Sequence, residues 1–478
     1  MQIYQNYING QFVDGYDKIE ILNPATGQAF ALQVIANSAQ VNDAVQAARN
    51  SFMQSNFKNL RPVERGRMVR KMGEYLLSKE QEIAEHLTKE AGKPLWESKL
   101  EVQGAARYFE YYGNQAETVE GKSIPLGADY YDFTVYEPYG VTAHIIPWNY
   151  PLEMTARSVS AALTTGNTCV IKTPELDPIT NRYIALAAEH AGLPEGAVNL
   201  ICGWGHEAGE ALTSHPDVNQ IVFTGSVDTG IRVASNAAKN IVPCVLELGG
   251  KSGAIVLPDA DQTNLIDSVR WGIFFGAGQV CSAMSRLIVH ESIHDDVLSQ
   301  VVELAKKIKP GPGQDYPTFG DSMGPMISGR QRDRAEGLCL NAVNEGARIQ
   351  TGGHKLNNQG FFLEPTIISD VTPQMEIAQT EVFGPVLSVM RYSTEEEALS
   401  IINGTEYGLV GGVFTKDLNK AHRLSQKIRA GQVFINEWFA GGVETPFGGF
   451  GKSGYGREKG REALWNYVQT KNIASKLS

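Results

Sequence analysis

Two side chains in this sequence of 478 residues are set for covalent acyl chemistry: the thiol of Cys281, which follows the loop Gly276-Ala-Gly-Gln-Val280, and the carboxyl of Glu247, which precedes Gly249-Gly250. A thiolate adds to an electrophilic carbon and leaves a thioester, which a carboxylate hydrolyses by taking a proton from water. The loop glycines let the backbone at Cys281 approach a substrate closely. Cys169, Cys202 and Cys244 lie in strand-like runs, where a free thiol packs as a small hydrophobe, and Cys339 sits on a helix without an acid or base context. Glu247 is either a strand-end ion-pair partner or a general base. Its neighbours Leu246 and Leu248 imply partial burial, which raises a carboxyl pKa toward the useful range. Asn149, in Pro147-Trp-Asn-Tyr-Pro151, is either a turn residue or an amide donor that joins the Cys281 backbone N–H in an oxyanion hole, where one donor contributes about 3–4 kcal/mol.

Such groups need a large scaffold to hold them. The chain is too long for one core and implies two or three domains. With 42% hydrophobic and 20% charged residues it has the composition of a globular protein. Its net charge of −11, without long runs of like charge, argues against nucleic-acid and anionic-membrane surfaces. Five cysteines, odd in number and never in C-x-x-C or zinc-ligand spacing, argue for a reducing compartment and against disulfides or a metal site. The start Met1-Gln-Ile-Tyr-Gln-Asn-Tyr7 has no basic region followed by an apolar run, and no stretch is long and apolar enough to span a bilayer, so a cytoplasmic location is expected.

Between residues 140 and 257 short β-branched runs alternate with helical ones. Val141–Ile146, Asn167–Lys172, Val198–Cys202, Gln220–Phe223, Cys244–Glu247 and Ala254–Leu257 read as strands, and Pro178–Ala191 and Val227–Lys239 as helices between them. This alternation calls for right-handed crossovers and a doubly wound parallel sheet, a usual platform for a dinucleotide. Val41–Arg49 and Val63–Ala91 read as amphipathic helices that precede it. A second α/β pattern follows Gly250, with a helix over Asn264–Phe275 that leads into Cys281 and a strand at Val433–Asn436, which places the chemistry in the cleft between the two halves. Ile124–Tyr139 resembles a hairpin, and Ala463–Ile473 a terminal strand that carries Trp465 and Tyr467.

Several glycine-rich segments imitate better-known motifs. Gly203-Trp-Gly-His-Glu-Ala-Gly209 is one residue longer than the usual dinucleotide fingerprint. Gly451-Lys-Ser453 and Gly250-Lys-Ser252 fail as phosphate loops, because Pro446 and Val245 stand where the first glycine belongs. Phe223-Thr-Gly-Ser226 joins a strand directly to a helix, and Ser226 is there either a simple cap or part of a pyrophosphate site.

The segments Leu246-Glu-Leu-Gly-Gly-Lys251, Gly278-Gln-Val-Cys-Ser282, Pro147-Trp-Asn-Tyr-Pro151 and Glu381-Val-Phe-Gly-Pro-Val386 closely resemble those of the NAD(P)-dependent aldehyde dehydrogenase superfamily, and the likeness runs on to Gly456-Arg-Glu458. The resemblance implies an α/β aldehyde dehydrogenase-like fold of two doubly wound parallel-sheet domains and a small β arm. On this reading residues 1–117 and 139–249 bind NAD, 250–459 form the catalytic domain, and 118–138 with 460–478 form an arm that covers a neighbouring subunit's sheet edge in a homodimer or homotetramer. Cys281 is then the nucleophile, Glu247 the general base, Asn149 the oxyanion donor, and Glu458 a residue that passes protons to and from the base. Lys172 and Glu175 of Lys172-Thr-Pro-Glu175 hold the adenine ribose, Gly225 and Ser226 the pyrophosphate, and Glu381 the nicotinamide ribose, with Ile146, Pro147, Trp148, Leu248 and Phe383 lining the cofactor cleft. A carboxylate on the ribose hydroxyls repels a 2′-phosphate and favours NAD over NADP. The chain departs from the family pattern at Thr173, at Val227-Asp-Thr after Ser226, and at Gly451.

The reaction so implied is oxidation of a small-molecule aldehyde to the acid through a thiohemiacetal and a thioester, with hydrolysis rather than transfer to coenzyme A because Glu247 is kept. The competing readings are a cofactor-independent thiol hydrolase, which normally needs a His that the neighbouring motifs lack, and a non-catalytic NAD-binding or structural protein. The family's substrate tunnel corresponds to Tyr150, Met154, Arg157, Val280, Ser282, Trp438, Phe439 and Phe447. Arg157 is either a solvated helix-surface residue or, by resemblance, the partner of a carboxylate or polar ring substituent at the far end of a semialdehyde or polar-substituted aromatic aldehyde.

Overall fold

Runs of Val, Ile and Ala with no polar alternation can be buried only in strands covered on both faces, and they build two sheets. The computed structural model describes residues 1–356 and 359–477. In the first sheet five parallel strands stand in the order Cys244–Leu248, Gln220–Gly225, Val141–Ile145, Thr168–Thr173, Val198–Cys202. Helices Ser38–Gln54, Pro151–Thr164, Arg182–Ala191 and Val227–Ala238 pack around this sheet. The second sheet runs Arg348–Thr351, Thr366–Ser369, Val386–Tyr392, Arg286–His290, Gly253–Val256, Val410–Phe414, Gln432–Ile435, and is parallel except at its first pair. The run near residue 254, which its place in the alternation groups with the first-half strands, is instead a central strand of the second sheet, flanked by Arg286–His290 and Val410–Phe414.

Several elements differ from the sequence reading for identifiable reasons. The helix expected from Pro178 begins only at Arg182, because the backbone N–H groups of Ile179 and Thr180 donate to the buried carboxylate of Glu90 at 2.8 Å. The helix before the nucleophile ends at Val269 and passes through one wide turn, Arg270–Phe274, into left-handed conformations at Gly276 and Ala277 (φ 59° and 53°). Residues 122–134 make a short hairpin contact, but Tyr130–Pro138 pairs along its length with Val468–Lys476. Trp465 and Tyr467 precede that strand, on the 3-10 turn Arg461–Tyr467. The antiparallel trio Gln2–Tyr4, Gln28–Ile35 and Asp17–Asn23 was not anticipated.

The two sheets are stitched together next to the site. Gly454–Tyr455, far beyond the second sheet in sequence, returns to pair antiparallel with Leu246 and Glu247 at the edge of the first. Arg286, 2% exposed, donates to the carbonyls of Lys251, Ile401 and Ile402 at 2.8–2.9 Å, and so ties the turn after Glu247 to the second sheet. Replacing Arg286 by Met leaves the carbonyls of Lys251 and Ile402 without a donor, while that of Ile401 keeps the Gly404 N–H. At about 1–3 kcal/mol for each unsatisfied group, the urea unfolding midpoint should fall clearly, by the equivalent of about 2 kcal/mol or more; an unchanged midpoint would show that water satisfies these carbonyls.

Candidate active site

Where the C-terminal ends of the first sheet meet the second lies a cavity of about 630 Å³, the usual place for ligands in open α/β sheets. Cys281, Glu247 and Asn149 all line it. Gln279 fixes the nucleophile loop, its Nε2 donating to Gly276 O at 3.1 Å while its Oε1 accepts from Ile327 N at 2.9 Å. Glu97 anchors the same loop by accepting from Gly276 N at 3.0 Å. Asn149 donates one Nδ2 proton to the carbonyl of Gln279 at 2.9 Å. Its second proton and the Cys281 backbone N–H have no acceptor among the described residues, as an oxyanion hole requires.

The electrostatics are those of ionisable groups taken out of water. Burial pushes the Cys281 thiol up to about 12, with Arg157 opposing and Glu381 and Glu247 adding to the rise. Glu247, 3% exposed and with neither carboxyl oxygen hydrogen-bonded, is raised well above the carboxylate range by burial; Arg157 opposes and Glu458 adds. Arg157 lines the cavity, but its guanidinium is paired with Glu458 and donates to Thr224 Oγ1 at 3.1 Å. At 4% exposure it is no solvated surface residue, and its committed guanidinium does not fit the expectation of a free partner for the far end of a substrate. Burial works against its charge, yet Glu458 and Glu247 outweigh that and keep it cationic. Glu458 does not line the cavity; it sits behind Arg157 and accepts from the Tyr467 hydroxyl at 3.2 Å.

The cofactor residues divide into two groups. Pro147, Trp148, Gly225, Ser226, Leu248, Glu381 and Phe383 line the cavity, whereas Ile146 lies behind it, its N–H donating to Lys172 O at 3.1 Å. Lys172 and Glu175 pair with each other at 3.0 Å outside the cavity wall, beside Gly205 and Gly209 of the long glycine segment. These residues fit a dinucleotide. Ser226 caps the helix Val227–Ala238, whose first N–H groups and dipole favour a phosphate. Glu381 accepts from Gly250 N at 3.0 Å, and a Cβ on Gly249 would fall 2.8 Å from its Cδ, so the carboxyl keeps its place only because residue 249 has no side chain. Burial moves Glu381 up to about 7, against the Gly250 N–H and Lys251.

On the substrate side, Tyr150, Met154, Phe439 and Phe447 line the cavity, with Trp271 and Phe275 from the segment before the nucleophile. Trp438 does not: it is 3% exposed and supports the wall from behind, its Nε1 donating to Ser282 O at 3.0 Å. Tyr108, Glu153 and Lys459 also line the cavity and escaped the sequence reading; Lys459 had a signal in its place next to Glu458. Phe383, Phe439 and Lys459 hold left-handed φ of 56°, 65° and 60°, strain of a kind that concentrates at functional sites.

A thiol, an unpaired carboxyl and an amide donor line one cavity at the mouth of a dinucleotide-type sheet, the architecture of a nucleotide-dependent oxidoreductase. The aldehyde dehydrogenase family model matches residues 12–473, and the chain belongs to that family. It is 39% identical over 481 residues to the (Z)-2-((N-methylformamido)methylene)-5-hydroxybutyrolactone dehydrogenase of Acinetobacter baylyi, covering 100% of this chain and 98% of that one. It is 38% identical over 477 residues to the cytosolic aldehyde dehydrogenase 1 of Mus musculus, covering 99% and 95%. An NAD+ complex of the Bacillus cereus aldehyde dehydrogenase superposes with a TM-score of 0.97 at 35% identity, covering 100% of this chain and 97% of that one. NAD is the cofactor. Among the described residues no helix is long and apolar enough to cross a membrane.

A raised thiol pKa has a direct consequence. Below it the thiol is protonated and inert, so alkylation of Cys281 by iodoacetamide in the free enzyme should accelerate about tenfold per pH unit between roughly pH 7 and 9. A rate that levels off near neutrality, followed by mass spectrometry of the Cys281 peptide, would refute the raised value.

Proposed function

We propose that this enzyme oxidises a semialdehyde or polar-substituted aromatic aldehyde to its carboxylic acid by a non-acylating, NAD-dependent route. The observation that carries this reading is the convergence of Cys281, Glu247 and Asn149 on one cavity. The Cys281 thiol gives its proton to solvent water and the thiolate adds to the aldehyde carbon, and the resulting oxyanion sits against the Asn149 amide and the Cys281 N–H. Bound NAD would supply the hydride acceptor that lets this thiohemiacetal collapse to the thioester. Glu247, after its own proton has passed to solvent, takes a proton from water as that water attacks the thioester and the Cys281 thiolate leaves, and the Arg157–Glu458 pair behind it steadies the charge that Glu247 carries in each state. The unpaired buried carboxyl of Glu247 supports hydrolysis over acyl transfer to coenzyme A.

The cofactor half is residues 1–117 and 139–249, the catalytic half 250–459, with Gly454–Tyr455 contributed back to the first sheet. The ribbon of Tyr130–Pro138 and Val468–Lys476, exposed over much of its length, supports the proposed arm of a homodimer or homotetramer. Five free cysteines are in keeping with a cytoplasmic location.

Rapid mixing of the Glu247→Gln variant with NAD and an aldehyde should give one burst of NADH followed by turnover slowed by roughly a hundredfold or more, since water activation is lost while the thiol remains. Equally slow hydride transfer with no burst would assign Glu247 to activating Cys281 instead. Glu175→Ser should relax the preference for NAD over NADP by about tenfold in kcat/KM, by removing the carboxylate that faces a 2′-phosphate; an unchanged ratio would place that preference elsewhere.

A further inference from the structure

With Arg157 consumed by Glu458, one cation of the substrate half of the cavity is left without a partner. Lys459 lines the cavity and makes no hydrogen bond or ion pair among the described residues. Its ammonium and the Arg157 guanidinium flank the Phe447 ring, at 5.8 and 5.9 Å from its centroid. The position is enforced. Phe447 and Glu458 exchange backbone hydrogen bonds at 2.6 and 2.7 Å, and this lock holds the next residue, Lys459, in a left-handed conformation that a side chain adopts only at a cost. A surface lysine needs no such constraint.

Two further polar groups face the same space. The Tyr108 hydroxyl and the Glu153 carboxyl both line the cavity and have no hydrogen-bond partner among the described residues. Burial, with Glu101 close behind, pushes Glu153 up to about 7, while Lys459 and Lys93 oppose the rise. Glu153 and Lys459 act on each other, each holding the other closer to its charged form against burial, so a substrate carboxylate would share the ammonium with this carboxyl. Glu444, 51% exposed and paired with Arg107, also supports the charge of Lys459 but makes no ion pair with it.

Resting on the reading of the site as that of an aldehyde dehydrogenase, we infer that Lys459 is the specificity-determining residue that receives a carboxylate at the far end of the substrate, with Tyr108 and Glu153 beside it, and that Arg157 is a positioning residue for Glu458. The substrate class is thereby an ω-carboxylated aldehyde whose apolar middle lies along Phe447 and Phe439. The ammonium is a compact point charge, which suits a carboxylate that arrives at the end of a flexible chain.

The test compares the semialdehydes of succinic and adipic acid with their methyl esters, which keep the length and remove the charge. In the wild type at least one acid should have a kcat/KM well above that of its ester. Lys459→Met should raise KM for that acid by roughly ten- to a hundredfold, leave its kcat within about twofold, and leave the ester unchanged, whereas Lys459→Arg should restore most of the preference. Adipate, which cannot react, should raise the thermal midpoint of the wild type and lose that effect in Lys459→Met. Equal changes for acid and ester, no change for either, or adipate stabilisation that survives in Lys459→Met would overturn the assignment. A wild type that produces NADH from none of these aldehydes would instead overturn the reading of the reaction, and the adipate measurement would still decide the role of Lys459.

Discussion

The site depends on one buried cation. Arg157 is the principal positive charge opposing the upward shift of both the nucleophile and the proposed base, and its own charge is sustained by Glu458. Burying an ion pair costs several kcal/mol of desolvation per ion, repaid only where geometry and further hydrogen bonds are good. Here Thr224 at the end of a first-sheet strand and Tyr467 on the terminal turn supply those bonds. The pair therefore reads as a device for setting protonation states inside a dry cleft more than as a source of stability.

That logic explains the division of labour around the cavity. Neither Cys281 nor Glu247 is ionised by its surroundings alone, so the free enzyme keeps its reactive thiol quiet. Glu381, buried and moved to about 7, stays in place because Gly249 leaves room for it and because Arg334 donates to the carbonyls of Glu381 and Val382 at 2.9 and 3.0 Å. The cofactor side is thus built from backbone clearance and helix ends, and the substrate side from aromatic rings with a few unpaired polar tips.

Much of this was legible in the sequence. Cys281, Glu247 and Asn149 stand in short motifs whose residue types carry their chemistry, and the strands of the first sheet announce themselves as apolar β-branched runs of near-correct length. What was not legible depends on contacts between distant segments. Nothing near Arg157 in sequence says that Glu458 will meet it, or that Trp438 will turn its indole away to bond Ser282. The delayed start of the helix at Arg182 is set by Glu90, a carboxylate from another helix, and the left-handed backbones at Phe383, Phe439 and Lys459 have no glycine to betray them.

The return of Gly454–Tyr455 to the edge of the first sheet has a consequence for how the molecule is made. Ser453 Oγ donates to Gly249 O across 204 residues of sequence, beside the ladder that fixes Glu247. A chain emerging from the ribosome can complete its dinucleotide-type strands long before this ladder exists, and closing so long a loop is a late, entropically costly step of folding. Glu247 and Arg157 belong to the first half, but Phe447 and Glu458 join them only when nearly all of the chain has been synthesised. A chain cut short of Gly454 lacks both the strand that pairs with Glu247 and the carboxylate that pairs with Arg157.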